Sequence, residues 1–271
     1  MNCQFCFAPS KNQTCSEMTS LEQWKRIIDL LHSWAVEGIT FSGGDPFAQE
    51  DFPELLSYTH ESSNKTIFIQ VDTNGIGIKS NHFTPLKKYV NLLGLPLDGA
   101  QPEIHRLLRG ENHFEIIMDL LPKLVLNQIP LKINTIVCNK NIKSLEEIGH
   151  FLRSIPVKIW SLYEFWSLGK VGIANPLEFE IPHSLFAEKT NAITSQFPDI
   201  PIEINSIHNR RDAYFFVNDQ SIAYTIDKKD PSRYAMLGSI FSENVLLRWL
   251  QEANPLSVKK RLEQRREAST Q

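Results

Sequence analysis

Cys3 and Cys6 stand two residues apart at the head of the chain, in the stretch MNCQFCFAPSKNQTC. A Cys-x-x-Cys pair suits three chemistries: half of a zinc site, a thioredoxin-like redox pair, or part of an iron–sulfur ligand set. Zinc needs four ligands, and no second pair is present to supply them. A redox pair normally follows a strand and opens a helix, a setting that Met1 does not provide. Further along, three short motifs place small and acidic residues together: SGGDPF at 42–47, DTNG at 72–75 and PLDG at 96–99. Glycines in such positions let backbone groups approach a ligand closely. Each motif alone reads equally well as a tight turn, and Asp98 alone as a helix cap.

These motifs need elements to position them. Ser20 with Gln23 forms a capping box, and Trp24, Ile27, Ile28, Leu31 and Trp34 follow at helical spacing. Strands are expected at 38–44, 66–75, 89–99, 131–137 and 157–165, with helices at 51–62, 113–127 and 144–154 between them. Apolar strands alternating with helices specify an α/β fold with a parallel sheet, as an open barrel or a doubly wound sheet. In either arrangement function gathers at the carboxyl ends of strands, where the three motifs lie. Beyond residue 165 the rhythm changes to a helix at 184–197, a hairpin around Asn218 and Asp219, and a charged helix at 257–266 that reads as a solvated face. The expected division is a core over 1–170 and a C-terminal cap over 171–271 that closes the substrate cavity.

Composition bounds the function. The chain has 271 residues, 42% hydrophobic and 22% charged, which suits a folded core and argues against disorder. A net charge of -3 gives no basis for a nucleic-acid partner. Four cysteines, Cys3, Cys6, Cys15 and Cys138, are too few and too unevenly placed for a disulfide framework. With no leader and no bilayer-length apolar run, a cytoplasmic protein without a membrane partner is expected.

Taken together, a cysteine loop, then GGDP, TNG and LDG followed by EIHRLLRG, resembles the radical S-adenosylmethionine (radical SAM) enzymes. The resemblance implies a partial (βα)6 TIM-like barrel with a small C-terminal α+β cap. It also implies a 4Fe–4S cluster bound by a Cys-x3-Cys-x2-Cys loop, with SAM chelating the open iron. Cys3 and Cys6 match the second and third ligands; the first would lie two residues before Met1, so the barrel is expected to be truncated at its N-terminus. Cys15 is a weaker substitute ligand, and Cys138 reads as a core thiol. Phe5 matches an aromatic near the adenine. Gly43, Gly44 and Asp45 match the glycine-rich turn that accepts hydrogen bonds from the SAM amino group, with Asp one methylene shorter than the usual Glu. Arg109 would pair with the SAM carboxylate, and Thr73, Asn74 and Asp98 would line the pocket. Such an enzyme generates a 5′-deoxyadenosyl radical that abstracts hydrogen from a substrate, with electrons from a reductase, flavodoxin or ferredoxin.

Three later segments resemble the viperin-like branch, antiviral enzymes that dehydrate nucleotide triphosphates. LKINTIVCNKN supplies Lys132 and Asn134 as nucleotide contacts, and IPVKIW supplies Lys158, although Trp160 stands where a second cation is expected. RRDAYFFVND supplies Tyr214, with Arg210 and Arg211 as sources of the missing charge. A second reading is a radical SAM modifier of a peptide or small metabolite, with Trp160, Tyr163, Phe165 and Trp166 making the cavity aromatic. A third is a catalytically incomplete SAM-fold scaffold.

Overall fold

A computed structural model describes residues 3, 5, 6, 19–64, 66–169, 174 and 176–270. Helix α1 (Leu21–Ser33) starts at the expected capping box, with the Gln23 amide donating to Ser20 Oγ at 3.2 Å and the Ser20 amide to Gln23 Oε1 at 3.0 Å. Strands β1 (Gly38–Phe41), β2 (Phe68–Asp72), β3 (Leu92–Pro96), β4 (Leu131–Val137), β5 (Val157–Glu164) and β6 (Ile202–Asn205) form one sheet, each paired in parallel with the next in sequence. Between the first five run α2 (Phe52–Ser62), α3 (Phe83–Tyr89), α4 (Pro102–Arg109), α5 (His113–Leu126) and α6 (Leu145–Leu152).

That order decides between the two arrangements the alternation allowed. A doubly wound sheet reverses its strand order, whereas this one never does. Right-handed crossovers then put the helices on one side and leave the other side to curl around a lumen, as in a partial barrel. The outward faces of the strands form the main core with the helices, through residues such as Ile69, Val71, Leu93, Leu95, Ile133 and Trp160.

Strand β6 lies beyond residue 170 and completes the large sheet. The separate sheet is β7 (Phe216–Val217), β8 (Ile222–Ile226) and β9 (Tyr234–Ser239), all antiparallel. Its hairpin turns where expected, with Asn218 Oδ1 accepting from the amides of Gln220 at 3.0 Å and Ile222 at 2.9 Å. Helix α1 buries two faces rather than one: Ile28 enters the main core, while Ile27 and Leu31 pack with Ala223, Leu237, Ile240 and Val245 of the small sheet and its neighbours.

The terminal helix (Pro255–Thr270) departs from the solvated face expected of it. Leu262 packs on Phe68, Leu92 and Ile159, the lumen-facing residues near the starts of β2, β3 and β5. This helix therefore lies across the mouth of the lumen and floors it. No helix of the described residues is long and apolar enough to cross a membrane.

Candidate functional site

The strand-end motifs converge at one edge of the sheet. After β1, Gly43 adopts φ +117, and a Cβ added there would meet nothing within 4 Å, so the turn borders open space. Gly44 follows it in the same turn. Asp45 looks back toward β2: its Oδ1 accepts from the Phe47 amide at 2.9 Å, and its Oδ2 accepts from Thr73 Oγ1 and the Asn74 amide, both at 2.8 Å. A carboxylate offers about four acceptor positions, and three of these are filled by the protein itself. Asp45 is thus a clamp that joins the β1 and β2 ends, with Thr73 buried beneath it.

The end of β3 is held in the same manner. Asp98, fully buried, accepts from the Ile136 amide at 2.7 Å through Oδ1 and from Arg109 Nε through Oδ2. Arg109 also lies over the Phe5 ring at 4.8 Å and against Cys3. Burial works against its charge, but Asp98 and Cys3 outweigh that cost and hold the guanidinium pKa above its ordinary value. Between Asp98 and Asn74 runs a pair of histidines that sequence reasoning missed. The Asp98 amide donates to His105 Nδ1 at 3.1 Å, His105 Nε2 meets His113 Nδ1 at 2.7 Å, and His113 Nε2 meets the Asn74 carbonyl at 2.8 Å. A donor at one end and an acceptor at the other fix both rings as neutral Nε2–H tautomers.

Cys3 and Cys6 share one turn, with the Cys6 amide donating to the Cys3 carbonyl at 3.2 Å, and neither thiol is in a disulfide. Phe5 between them is buried against Leu108, Cys138, Phe165 and Phe179. Cys138 is a core thiol: burial pushes its pKa up to about 12, which keeps it protonated. Cys15 lies outside the described residues, among which no group of three or more His, Cys, Asp or Glu is set to hold a metal ion. Two half-exposed thiols in one turn fit part of an iron–sulfur ligand set.

Below these loops the lumen is polar. Asp72 accepts from Gln70 Nε2 at 2.9 and 3.0 Å and from Asn134 Nδ2 at 3.1 Å. Gln70 Oε1 and Asn134 Oδ1 are buried acceptors without a partner. Lys132 is fully buried, its Nζ 2.9 Å from Tyr163 Oη and 3.9 Å from Glu203 Oε2. The terminal helix reaches into the same layer: Arg265 pairs with both Glu203 oxygens at 3.1 and 3.2 Å, and Arg261 Nη2 donates to Asn205 Oδ1 at 2.8 Å. Burial alone would raise the Glu203 pKa, but Arg265, Lys132 and Arg261 hold it far below the carboxylate range.

The residues expected to bind substrate divide into two groups. Lys132, Asn134, Arg210 and Tyr214 gather here: Arg210, nearly buried, lies over the rings of Tyr163 at 5.3 Å and Trp166 at 5.1 Å. Burial would raise the Tyr214 pKa, yet Arg210, Arg261 and Arg265 lower it overall. Lys158 stands at the register irregularity opening β5, away from the strand ends, and Arg211 is exposed and pairs with Asp212 at 3.6 Å. Trp160 does not line the cavity: it faces the helices, donating to Thr135 Oγ1 at 2.9 Å and packing near Phe197. Ser161 and Tyr163 of the same strand face the lumen through Glu203 and Lys132, so Trp160 neither displaces a cation nor makes the cavity aromatic.

A match to the Radical SAM superfamily covers residues 1–152, more than half of the chain. The Fe-coproporphyrin III synthase of Methanosarcina barkeri is 22% identical over 251 residues, 90% of this chain and 60% of that protein. The mycofactocin maturase MftC of Mycobacterium tuberculosis is 29% identical over 150 residues, 54% of this chain and 37% of that protein. An S-adenosylmethionine-dependent nucleotide dehydratase of Selenomonas ruminantium is 28% identical over 150 residues, 51% of this chain and 53% of that protein. The chain thus spans about a third to three fifths of the length of these relatives. The fold is shared with anSMEcpe with bound AdoMet, at a TM-score of 0.71 and 16% identity, over 95% of this chain and 77% of that one.

Proposed function

Because the chain belongs to the radical SAM superfamily, we propose that it is an enzyme acting on a small polar substrate of the nucleotide class, held in the lumen beneath the strand-end loops. The superfamily's 4Fe–4S cluster and SAM, when bound, supply reductive cleavage of SAM and a radical that takes hydrogen from the substrate. Cys3 and Cys6 would hold the cluster, the turn at Gly43 and Gly44 would border SAM, and Phe5 and Arg109 would back the cysteine turn. Asp45, Thr73, Asn74 and Asp98 serve by fixing the loops, since their own polar groups are engaged within the protein.

The observation that carries the substrate reading is the pair of buried acceptors, Gln70 Oε1 and Asn134 Oδ1. A buried acceptor without a partner costs about 1–3 kcal/mol, a cost that a hydroxyl or amino group of the substrate removes. Lys132 beside them adds charge complementary to an anionic substrate, and Trp160, turned outward, leaves the lumen polar. The likeness to a nucleotide dehydratase, though it covers only half of either chain, supports the same class.

Anaerobic reconstitution with iron and sulfide, followed by incubation with SAM and a reductant, tests this reading. The expected result is 5′-deoxyadenosine formation stimulated by one nucleoside triphosphate of a panel, with Cys3→Ala and Cys6→Ala losing the visible absorbance of the cluster. Asn134→Ala is expected to lower the stimulated rate at least about tenfold, the equivalent of one lost hydrogen bond to a charged or buried partner, and to spare the unstimulated rate. Stimulation by peptides alone, or by no nucleotide, overturns the substrate class.

A further inference from the structure

The sheet, the segment before β7 and the terminal helix bring four cations to one layer of the lumen: Lys132 from β4, Arg210, and Arg261 and Arg265 from the terminal helix. Two carboxylates answer them among the described residues. Glu203 is taken by Arg265 and lies 3.9 Å from Lys132, and Asp72 is tied to Gln70 and Asn134. Glu164 forms no ion pair with Arg210: Arg210 donates to its backbone carbonyl at 2.6 Å, while its carboxylate accepts from the Ile207 amide at 2.7 Å and lies 3.0 Å from His183. The layer therefore carries two positive charges beyond its carboxylates.

The excess sits at the Arg210–Arg261 end. Arg261 meets a neutral amide, Asn205, and lies 5.6 Å over the Tyr214 ring, and Arg210 is close enough to the same phenol to favour its ionised form. Both guanidinium groups thus lie near one phenol, and among the described residues neither forms an ion pair with a carboxylate. Cations withdrawn from water cost free energy unless they are paired. Guanidinium forks match the planar oxygens of phosphate and carboxylate groups.

From this geometry we infer that Arg210 and Arg261, with Tyr214 beside them, form a binding site for an anionic oxygen-bearing group, phosphate or carboxylate, at the end of the lumen toward the terminal helix. The site rests on the substrate reading above and deepens it: the hydrogen-bonding part of the substrate meets Gln70 and Asn134, and its anionic part meets the terminal helix. The helix is then a wall of the substrate site and not only its floor. The i, i+4 spacing of Arg261 and Arg265 gives the two residues different tasks on one face, Arg265 closing the internal pair with Glu203 and Arg261 left for the ligand.

Calorimetric titration of the full chain with inorganic tripolyphosphate and, separately, with citrate tests the site without requiring cluster or turnover. At least one probe is expected to bind and to raise the melting temperature by mass action. Arg261→Gln should weaken that probe at least about tenfold, as expected for losing a charge-assisted hydrogen bond. Arg261→Lys should recover part of the loss, and Lys260→Gln, an exposed neighbour on the same helix, should change nothing. Tighter binding of tripolyphosphate assigns phosphate and tighter binding of citrate assigns carboxylate. The site is overturned if neither probe binds, or if Arg261→Gln binds as well as the parent chain. These outcomes separate from failure of the catalytic reading, which is measured by SAM cleavage.

Discussion

His105 and His113 show how a single pair of side chains can fix two loops at once. Their rings lie parallel and edge to edge, with centroids 5.1 Å apart and an interplanar angle of 4°, both buried, and span the distance from the Asp98 amide to the Asn74 carbonyl. The chain of hydrogen bonds exists only while both rings are neutral, because protonating His105 Nδ1 would set two donors against each other. Burial, together with His113 and Arg109, lowers the His105 pKa to about 4, and burial lowers that of His113 as well. The folded protein therefore binds fewer protons than the unfolded chain between the ordinary histidine value near 6.5 and about 4. Stability from this pair is complete above the unfolded value and is lost as pH falls through that window. Chemical denaturation at a series of pH values should show stability declining from about pH 6.5 to 4. His105→Ala should cost about 2–3 kcal/mol at neutral pH and flatten the decline, since the unsatisfied Asp98 amide remains but the titrating ring is gone. An unchanged slope in the variant would assign the acid sensitivity to other groups.

At the scale of elements, strand β3 carries a constraint that its sequence only hints at. Gly94 sits between Asp72 on β2 and Asn134 on β4, and a Cβ there would come within 2.0 Å of Asp72 Oδ1 and 2.7 Å of Asn134 Nδ2. The glycine exists so that the polar layer can close over it. Gly94→Ala should leave a folded protein destabilised by about 1–3 kcal/mol through overpacking, while parting Asp72 from Asn134. The expected kinetic signature is a loss of substrate-stimulated SAM cleavage with substrate-free cleavage retained; equal loss of both would mean that the strain reaches the strand ends. The strands themselves were legible because β1 to β5 are rich in apolar and β-branched residues, and β1, β2 and β3 run into glycine turns. The polar layer was less so. Gln70 and Asp72 alternate with the apolar Ile69 and Val71 in FIQVD, a period-two signal for a second, polar face, yet only pairing across strands shows that Lys132, Tyr163 and Glu203 share it. Strand β6 is four residues long and half buried, too short for its pattern to stand out, and α3 and α4 are short helices whose fixing contacts come from elsewhere in the chain.

For the molecule as a whole, the terminal helix is the element whose part in the fold the sequence concealed most fully. Lys259, Lys260, Arg261, Glu263, Arg265 and Arg266 make it look fully solvated, and its apolar contribution to the lumen is concentrated in Leu262, with Ala268 beside it. That leucine covers the apolar floor made by Phe68, Leu92 and Ile159, with the Leu262 methyls at the closest approach to Gly38. Around it Arg265 binds Glu203, and Arg266 donates to the Glu37 carbonyl at 2.9 Å. Releasing the helix would expose three core residues and leave Glu203 with Lys132 as its remaining close cation, so the helix should melt with the barrel and not before it. Leu262→Ala tests this directly. Removing a partly buried leucine costs about 1–2 kcal/mol, which in a domain of this size lowers the melting temperature by about 2–8 °C. The shift should appear in a single calorimetric transition, and amide hydrogen exchange in residues 258–268 should accelerate together with that of β2 and β5. An early separate transition, with the core strands unchanged, would mean that the helix is a detachable appendage and would remove it from the walls of the lumen.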